Sequence, residues 1–242
     1  MKFMHLGDLH LGKLLKDFDL KDDQKYILDQ LMDICREKEV RAVLIAGDVY
    51  DRSIPSESAT KLLDHFLSSL VSQGIHVFMI SGNHDSDDRL NFGRKLFESN
   101  HVYISSVFDG QMDVRTLEDE YGQIHIYSLP FVKASQVKRF FPKADIQTYE
   151  DAVKTVIEAA EIDETKRNLI IAHQFAAGKS ADPELGGSEG VSVRNVGLVE
   201  KVGSDVFDPF DYAALGHIHR PQRVGRDEVR YAGSPLKYSL SE

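Results

Sequence analysis

One cysteine in 242 residues, Cys35, excludes an intramolecular disulfide framework, and its place in an apolar stripe favours a buried thiol over a reactive one. Long apolar runs are also missing. The opening MKFMHLGDLH contains no sustained hydrophobic segment of the kind a secretory signal needs. No stretch approaches the ~20 apolar residues required to cross a bilayer, so the expectation is a cytoplasmic protein without a membrane partner. Excess basic charge is absent too. A net charge of −10 counts against a surface broadly attractive to nucleic acid, although Lys13 with Lys16, or Lys138, Arg139 and Lys143, offer local basic clusters. Repeats and low-complexity segments do not occur, so one large core is the default for 42% hydrophobic and 28% charged residues.

What is present is a rhythm of short apolar runs. Lys2 to Leu6, Ala42 to Ala46, Val77 to Ser81, His125 to Leu129, Leu169 to Ala172 and Tyr212 to Leu215 read as buried strands. Between the first two, Ile27, Leu31, Ile34 and Cys35 predict an amphipathic helix face. Between the next two, Leu62, Leu63, Phe66 and Leu70 predict another, capped by Ser56 after Pro55 and stopped at Gly74. Alternating strand and helix implies a largely parallel α/β first half. After Asn100 the strand-like runs Val102 to Val107 and Ile124 to Leu129 crowd together, which predicts a second, more antiparallel sheet. Phe175 to Asn195, rich in Gly and Ser, reads as a long loop.

Chemistry concentrates just past those strands, in Asp8-Leu9-His10, Gly47-Asp48, Gly82-Asn83-His84-Asp85, Ala172-His173 and Gly216-His217-Ile218-His219. Carboxyl ends of strands in an open α/β sheet form the crevice where ligands bind, so residues spread along the chain are expected to converge. Strand alternation would send Asp8 with His10, and His217 with His219, to a common side. Two carboxylates, one amide oxygen and four imidazoles are too many donors for one tetrahedral ion and suit two ions sharing a carboxylate, with Asp48 the expected bridge. A mixed N and O set without thiolate points to manganese, iron or zinc, manganese first. His84, adjoining the ligand Asn83, is the expected non-ligand catalyst that gives a proton to a leaving oxygen, with Asp85 orienting its ring. His5, His65, His76, His101 and His125 lie within elements or at their starts and carry no expected role. The Tyr50-Asp51-Arg52 loop is as readily a turn as a substrate contact.

This ordered series resembles that of the calcineurin-like metallophosphoesterases, over nearly the whole chain. The resemblance implies a four-layer sandwich of two mixed β-sheets flanked by α-helices. It implies one ion held by Asp8, His10, Asp48 and His219, and another by Asp48, Asn83, His173 and His217. Within that superfamily, Asp8-Leu9-His10-Leu11-Gly12, Gly47-Asp48-Val49-Tyr50-Asp51 and Gly216-His217-Ile218-His219-Arg220-Pro221-Gln222, with Tyr231-Ala232-Gly233-Ser234-Pro235-Leu236-Lys237-Tyr238-Ser239 following, are similar to SbcD-type bacterial exonuclease subunits. By resemblance the protein would cut DNA phosphodiesters at ends and hairpins with manganese, alongside an SbcC-type ATPase, in repair and recombination. Some relatives carry an extra histidine in the loop after the second motif, where this chain has Val49-Tyr50-Asp51-Arg52, so no role for it transfers. Family members continue into a capping domain and an ATPase-gripping helical segment; the expectation here is a nuclease domain spanning 1–242. A homodimer through Ser56 to Ser72 and Leu90 to Glu98 is the further implication. The rival reading is a phosphoprotein phosphatase, because Gly47-Asp48-Val49-Tyr50-Asp51-Arg52 partly imitates that branch, or a small-molecule phosphodiesterase. Against the phosphatase stand Ser53 in place of glycine, Asp85 in place of glutamate, and Leu11 separating His10 from Gly12.

Overall fold

The computed structural model describes residues 1–179, 182–186 and 201–239. Its first half is built from β1 (Phe3–Leu6), a small hairpin of β2 (Leu14–Leu15) and β3 (Phe18–Asp19), and α1 (Lys21–Glu37). Next come β4 (Ala42–Ala46), α2 (Glu57–Ser72), β5 (His76–Ile80), the short α3 (Asp87–Leu90) and α4 (Arg94–Glu98), and β6 (Val102–Ser105). The second half runs β7 (Asp113–Asp119), β8 (Gly122–Leu129), α5 (Ala134–Phe140), α6 (Tyr149–Ala159), β9 (Arg167–Ala172) and β10 (Ala176–Ala177). It finishes with β11 (Val202–Gly203), a 3₁₀ turn at Ser204–Phe207, β12 (Tyr212–Leu215), β13 (Gln222–Val224) and β14 (Arg226–Tyr231).

Two large sheets form. Sheet one has the order β1-β4-β5-β6 and is parallel at every junction, not mixed. Sheet two has the order β13-β14-β12-β9-β8-β7. Its centre, β14-β12-β9-β8, is parallel, and only the edge pairings β13-β14 and β7-β8 are antiparallel. The expectation of a more antiparallel second sheet is thus corrected. Of the crowded runs, Val102 to Val107 contains β6, which joins the edge of sheet one parallel to β5, and only Ile124 to Leu129 enters sheet two, as β8, where α5, α6 and their loops supply the crossover that the parallel pair β8-β9 requires.

The sheets pack face to face through Leu44, Phe78 and Ile80 of sheet one against Ile126, Leu169 and Ile171 of sheet two. The outer face of sheet one is covered by α1 and α2 through Leu28, Met32, Leu62 and Phe66. The outer face of sheet two is covered by α6 through Val153, Val156 and Ile157. The result is the expected four-layer α/β sandwich. Ser56 caps α2 as its sequence suggested, accepting from the Ala59 amide at 3.2 Å. Helix α1 turns a different face inward: Gln24, Leu28, Met32 and Cys35 are buried, while Ile34 is exposed. Spacings of 4, 4 and 3 residues also fit one helical stripe, and the polar Gln24 is drawn in by partners that periodicity does not register.

Of the Phe175 to Asn195 loop, Ala176–Ala177 form β10, paired with β11, and residues 180–181 and 187–195 lie outside the described residues. No helix among the described residues is long and apolar enough to cross a membrane.

Candidate active site

Three adjacent strands of sheet one, β1, β4 and β5, end beside two adjacent strands of sheet two, β9 and β12. Because these strands run parallel within their sheets, the loops leaving them emerge at one edge of the sandwich. Asp8 and His10 follow β1, Asp48 follows β4, Asn83 and His84 follow β5, His173 follows β9, and His217 and His219 follow β12. All seven expected donors therefore meet, with Asp8, His10, Asp48, His173, His217 and His219 buried and Asn83 at the exposed rim.

Strand alternation is not what aligns Asp8 with His10, which corrects that expectation. β1 ends at Leu6, and Asp8 (φ 53°), His10 (φ 41°), Asp48 (φ 47°) and His217 (φ 99°) all occupy left-handed backbone. Such conformations cost of order 1–3 kcal/mol each in a non-glycine residue and persist only where the surroundings dictate them. Here the surroundings are backbone bonds that continue the β1–β4 pairing past the strands, His10 N–H to the Asp48 carbonyl and Leu11 N–H to the Val49 carbonyl, each 2.9 Å. Gln24 of α1 completes the clamp. Its side-chain NH₂ donates to the His10 carbonyl at 2.8 Å, its oxygen accepts from the Gly12 amide at 3.0 Å, and the Tyr238 hydroxyl donates to the Leu9 carbonyl.

The donor atoms fall into two groups. In one, His10 Nε2 and His219 Nε2 stand 3.1 Å apart, with Asp8 Oδ1 3.9 Å from His219 Nε2. In the other, Asn83 Oδ1 lies 3.1 Å from His173 Nε2 and 2.9 Å from His217 Nδ1. Asp48 Oδ2 stands between them, 3.6 Å from His10 Nε2 and 3.4 Å from His173 Nε2. Metal–nitrogen bonds of about 2.1 Å place neighbouring donors around one ion roughly 3 to 3.4 Å apart, so this spacing fits two cations with a shared carboxylate.

Tautomers follow from the outer partners. His173 donates from Nδ1 to the Ala46 carbonyl at 2.7 Å, which leaves Nε2 free to bind. Charge tells the same story. Burial alone would lower the His173 imidazole, but the Asp48 and Asp8 carboxylates raise it to about 9. Burial pushes the Asp8 carboxyl up, whereas Asp48, against its own burial, is held well below the usual carboxylate range chiefly by His173. A buried carboxylate pair that draws positive charge this strongly is the demand a divalent cation meets.

His84 lies at the rim with a side chain 34% exposed, its Nε2 4.0 Å from Asp48 Oδ2. Its amide donates to Asp48 Oδ1 at 2.9 Å. The partner of its ring differs from the expected one. Nδ1 pairs with the main-chain carbonyl of Asp51 at 3.0 Å, not with Asp85. Asp85 instead accepts from three backbone amides, those of Val49 (3.0 Å), Tyr50 (2.9 Å) and Gly82 (2.9 Å), because its side chain points back under the loop. It ties the β4 and β5 loops together, and its burial, with Asp48 nearby, lifts its carboxyl to about 6. Sequence reasoning set Asp51 aside and missed Gln24 and Tyr238. The Tyr50-Asp51-Arg52 loop was visible in the sequence, but the meeting of Asp51 with Lys13 and His10 depends on how two loops cross.

Residues 1–221 match the family model for calcineurin-like phosphoesterases. Among solved structures, the chain is similar to GAP50, the anchor in the inner membrane complex of Plasmodium, at 15% identity and a TM-score of 0.50, covering 96% of this chain and 71% of that one. It is also similar to a dimetal phosphatase from Danio rerio, at 11% identity and a TM-score of 0.50, covering 97% and 88%. At these identities the likeness is one of fold.

Proposed function

The chain belongs to the calcineurin-like phosphoesterase family, and on that premise we propose that it is a manganese-dependent DNA nuclease of the SbcD type. The observation that carries hydrolysis is the position of Asp48 Oδ2 between the His10 and His173 nitrogens, at 3.6 and 3.4 Å. Asp8, His10, Asp48 and His219 would hold one ion, and Asp48, Asn83, His173 and His217 the other. When bound, the pair supplies positive charge to the phosphate oxygens and lowers the pKa of an attacking water. His84, which donates its Nδ1 proton to the Asp51 carbonyl, would act as the imidazolium, giving a second proton from Nε2 to the leaving oxygen as the P–O bond breaks.

The choice of DNA is supported by the flanking motifs around Asp8, Asp48 and His217 and by the Tyr231 to Ser239 segment. A cleft of about 290 Å³ beside the site, lined by Leu14, Asp51, Arg52 and Ile54, adds a surface for a polymer. Exposed Ile54 (69%) offers an apolar contact there, and Phe18 (74%), next to the lining residue Asp19, is exposed for base stacking. An SbcC-type ATPase is the proposed partner.

A digestion series tests the reading. Linear duplex and single-stranded DNA are incubated with manganese, magnesium or zinc and the wild type, Asp8→Ala or His84→Ala. Manganese-dependent degradation by wild type, loss of metal and turnover in Asp8→Ala, and loss of at least 100-fold in rate with both metals retained in His84→Ala are expected. Activity on phosphopeptides or cyclic nucleotides with none on DNA would sink the nuclease. A parallel fall of metal content and rate in His84→Ala would sink the role of His84.

A further inference from the structure

We propose that Asp51 is a positioning residue of the metal centre, its carboxylate fixing His10 and its main-chain carbonyl fixing His84. The inference rests on the two-metal reading above. Asp51 lies three residues beyond Asp48, and its amide donates to the Leu11 carbonyl at 3.2 Å, which brings its side chain under the β1 loop. Oδ1 accepts from Lys13 Nζ at 2.7 Å, and the two side chains are only 15% and 17% exposed. The same oxygen faces His10 Nδ1 at 3.5 Å.

That ring nitrogen is buried and has no hydrogen-bond partner within ordinary reach. Beside a carboxylate it must carry its proton, since a lone pair there would be repelled. The proton on Nδ1 leaves the lone pair on Nε2, the atom that converges with His219 Nε2 at 3.1 Å. Rings packed edge-on around His10, those of His84 at 4.8 Å and Tyr238 at 5.5 Å, confine its plane but do not choose its tautomer. Asp51 makes that choice, and Lys13 keeps Asp51 in place.

One residue thereby sets two histidines through different atoms. The carboxylate acts on the ligand His10 and is removed by substitution, whereas the carbonyl acting on His84 belongs to the main chain and survives it. A separation of effects follows. Loss of the side chain should weaken metal binding more than it slows the chemical step.

Manganese chloride is titrated calorimetrically into the full chain as wild type, Asp51→Ala, Asp51→Asn and Lys13→Met, with thermal melting to verify folding and rates on DNA measured across manganese concentration. Asp51→Ala is expected to weaken one of two manganese ions 10- to 100-fold and leave the other in place. Asp51→Asn keeps an acceptor oxygen without the charge, so it loses less, and should Asp51→Ala fail to fold it carries the test alone. In each variant the apparent manganese constant rises by a larger factor than kcat falls. Two ions bound with wild-type affinity in a folded Asp51 variant would overturn the proposal, as would a kcat loss exceeding the change in manganese constant. A wild-type chain that takes up fewer than two ions would instead refute the two-metal reading beneath it.

Discussion

At the scale of single residues, the site is defined as much by what is small as by what binds. A Cβ on Gly82 would overlap both Oδ1 and the backbone nitrogen of Asp48. A Cβ on Gly216, after β12 of sheet two, would overlap the carbonyl oxygen of Ala46 on β4 of sheet one. Each clash includes a backbone atom, the Asp48 nitrogen or the Ala46 carbonyl oxygen, so neither relaxes cheaply. Gly82→Ala should therefore displace Asp48 and lower bound manganese below two ions per chain while the rest of the fold survives, measured by metal analysis alongside far-UV circular dichroism. Unchanged metal content would mean that the Asp48 position tolerates more than its packing suggests. The convergence of the seven expected donors was legible in the sequence because each sits just past an apolar strand, and parallel strands deliver their ends to one edge. The roles of Asp51 and Asp85 were not. Both depend on which loop crosses which, and neighbouring positions in sequence gave Asp85 to His84 when space gives it to three amides.

At the scale of elements, the contact between the sheets contains a titratable bridge at His5. His5 on β1 pairs through Nε2 with the Leu215 carbonyl and through Nδ1 with the Tyr212 hydroxyl, both at 3.1 Å and both on β12. A carbonyl only accepts, so Nε2 carries the proton and Nδ1 accepts from Tyr212, which describes a neutral ring. Burial, with a smaller contribution from Arg230, lowers this imidazole from 6.5 to about 4. In the unfolded chain the ring takes up its proton near pH 6.5, in the folded chain near 4. The stabilisation is thus complete above 6.5 and lost as pH falls toward 4, a swing of up to ~3 kcal/mol. Chemical denaturation at pH 7, 5.5 and 4 should show a steeper fall for wild type than for His5→Asn, and parallel curves would contradict the bridge. Sequence reasoning gave His5 no function, and it has none in the chemistry; its structural part needs the second sheet to be seen. The same holds for α1, whose inward stripe is set partly by Gln24 reaching the His10 loop.

At the scale of the whole molecule, the strand pattern was sufficient to foresee an α/β first half and a second sheet, the four-layer sandwich came from the family motifs, and the parallel centre of sheet two was the part both missed. Helix α6 with its Thr148 cap supplies the crossover into β9, and a short helix between crowded strands is hard to read when its stripe is Val153, Val156 and Ile157 alone. The outer surface holds a further feature. Phe92 (85% exposed) and Leu96 (77%) precede Phe97, which with Leu63, Leu67 and Val71 lines a groove of about 440 Å³. Apolar surface of this kind marks a contact site, and a second copy of the chain is its proposed occupant. Light scattering after size-exclusion chromatography should give a dimer for wild type and a monomer for the Phe92→Asp, Leu96→Asp double variant. A wild-type monomer at high concentration would remove that reading without touching the site.

Sharing of Asp48 by two ions is read out by anomalous diffraction at the manganese edge from a crystal of this chain grown with manganese. Two anomalous peaks roughly 3.5 to 4 Å apart are expected, one beside Asp8, His10 and His219, the other beside Asn83, His173 and His217, with Asp48 Oδ2 between them. A single peak, or two peaks of which only one touches Asp48, would contradict it.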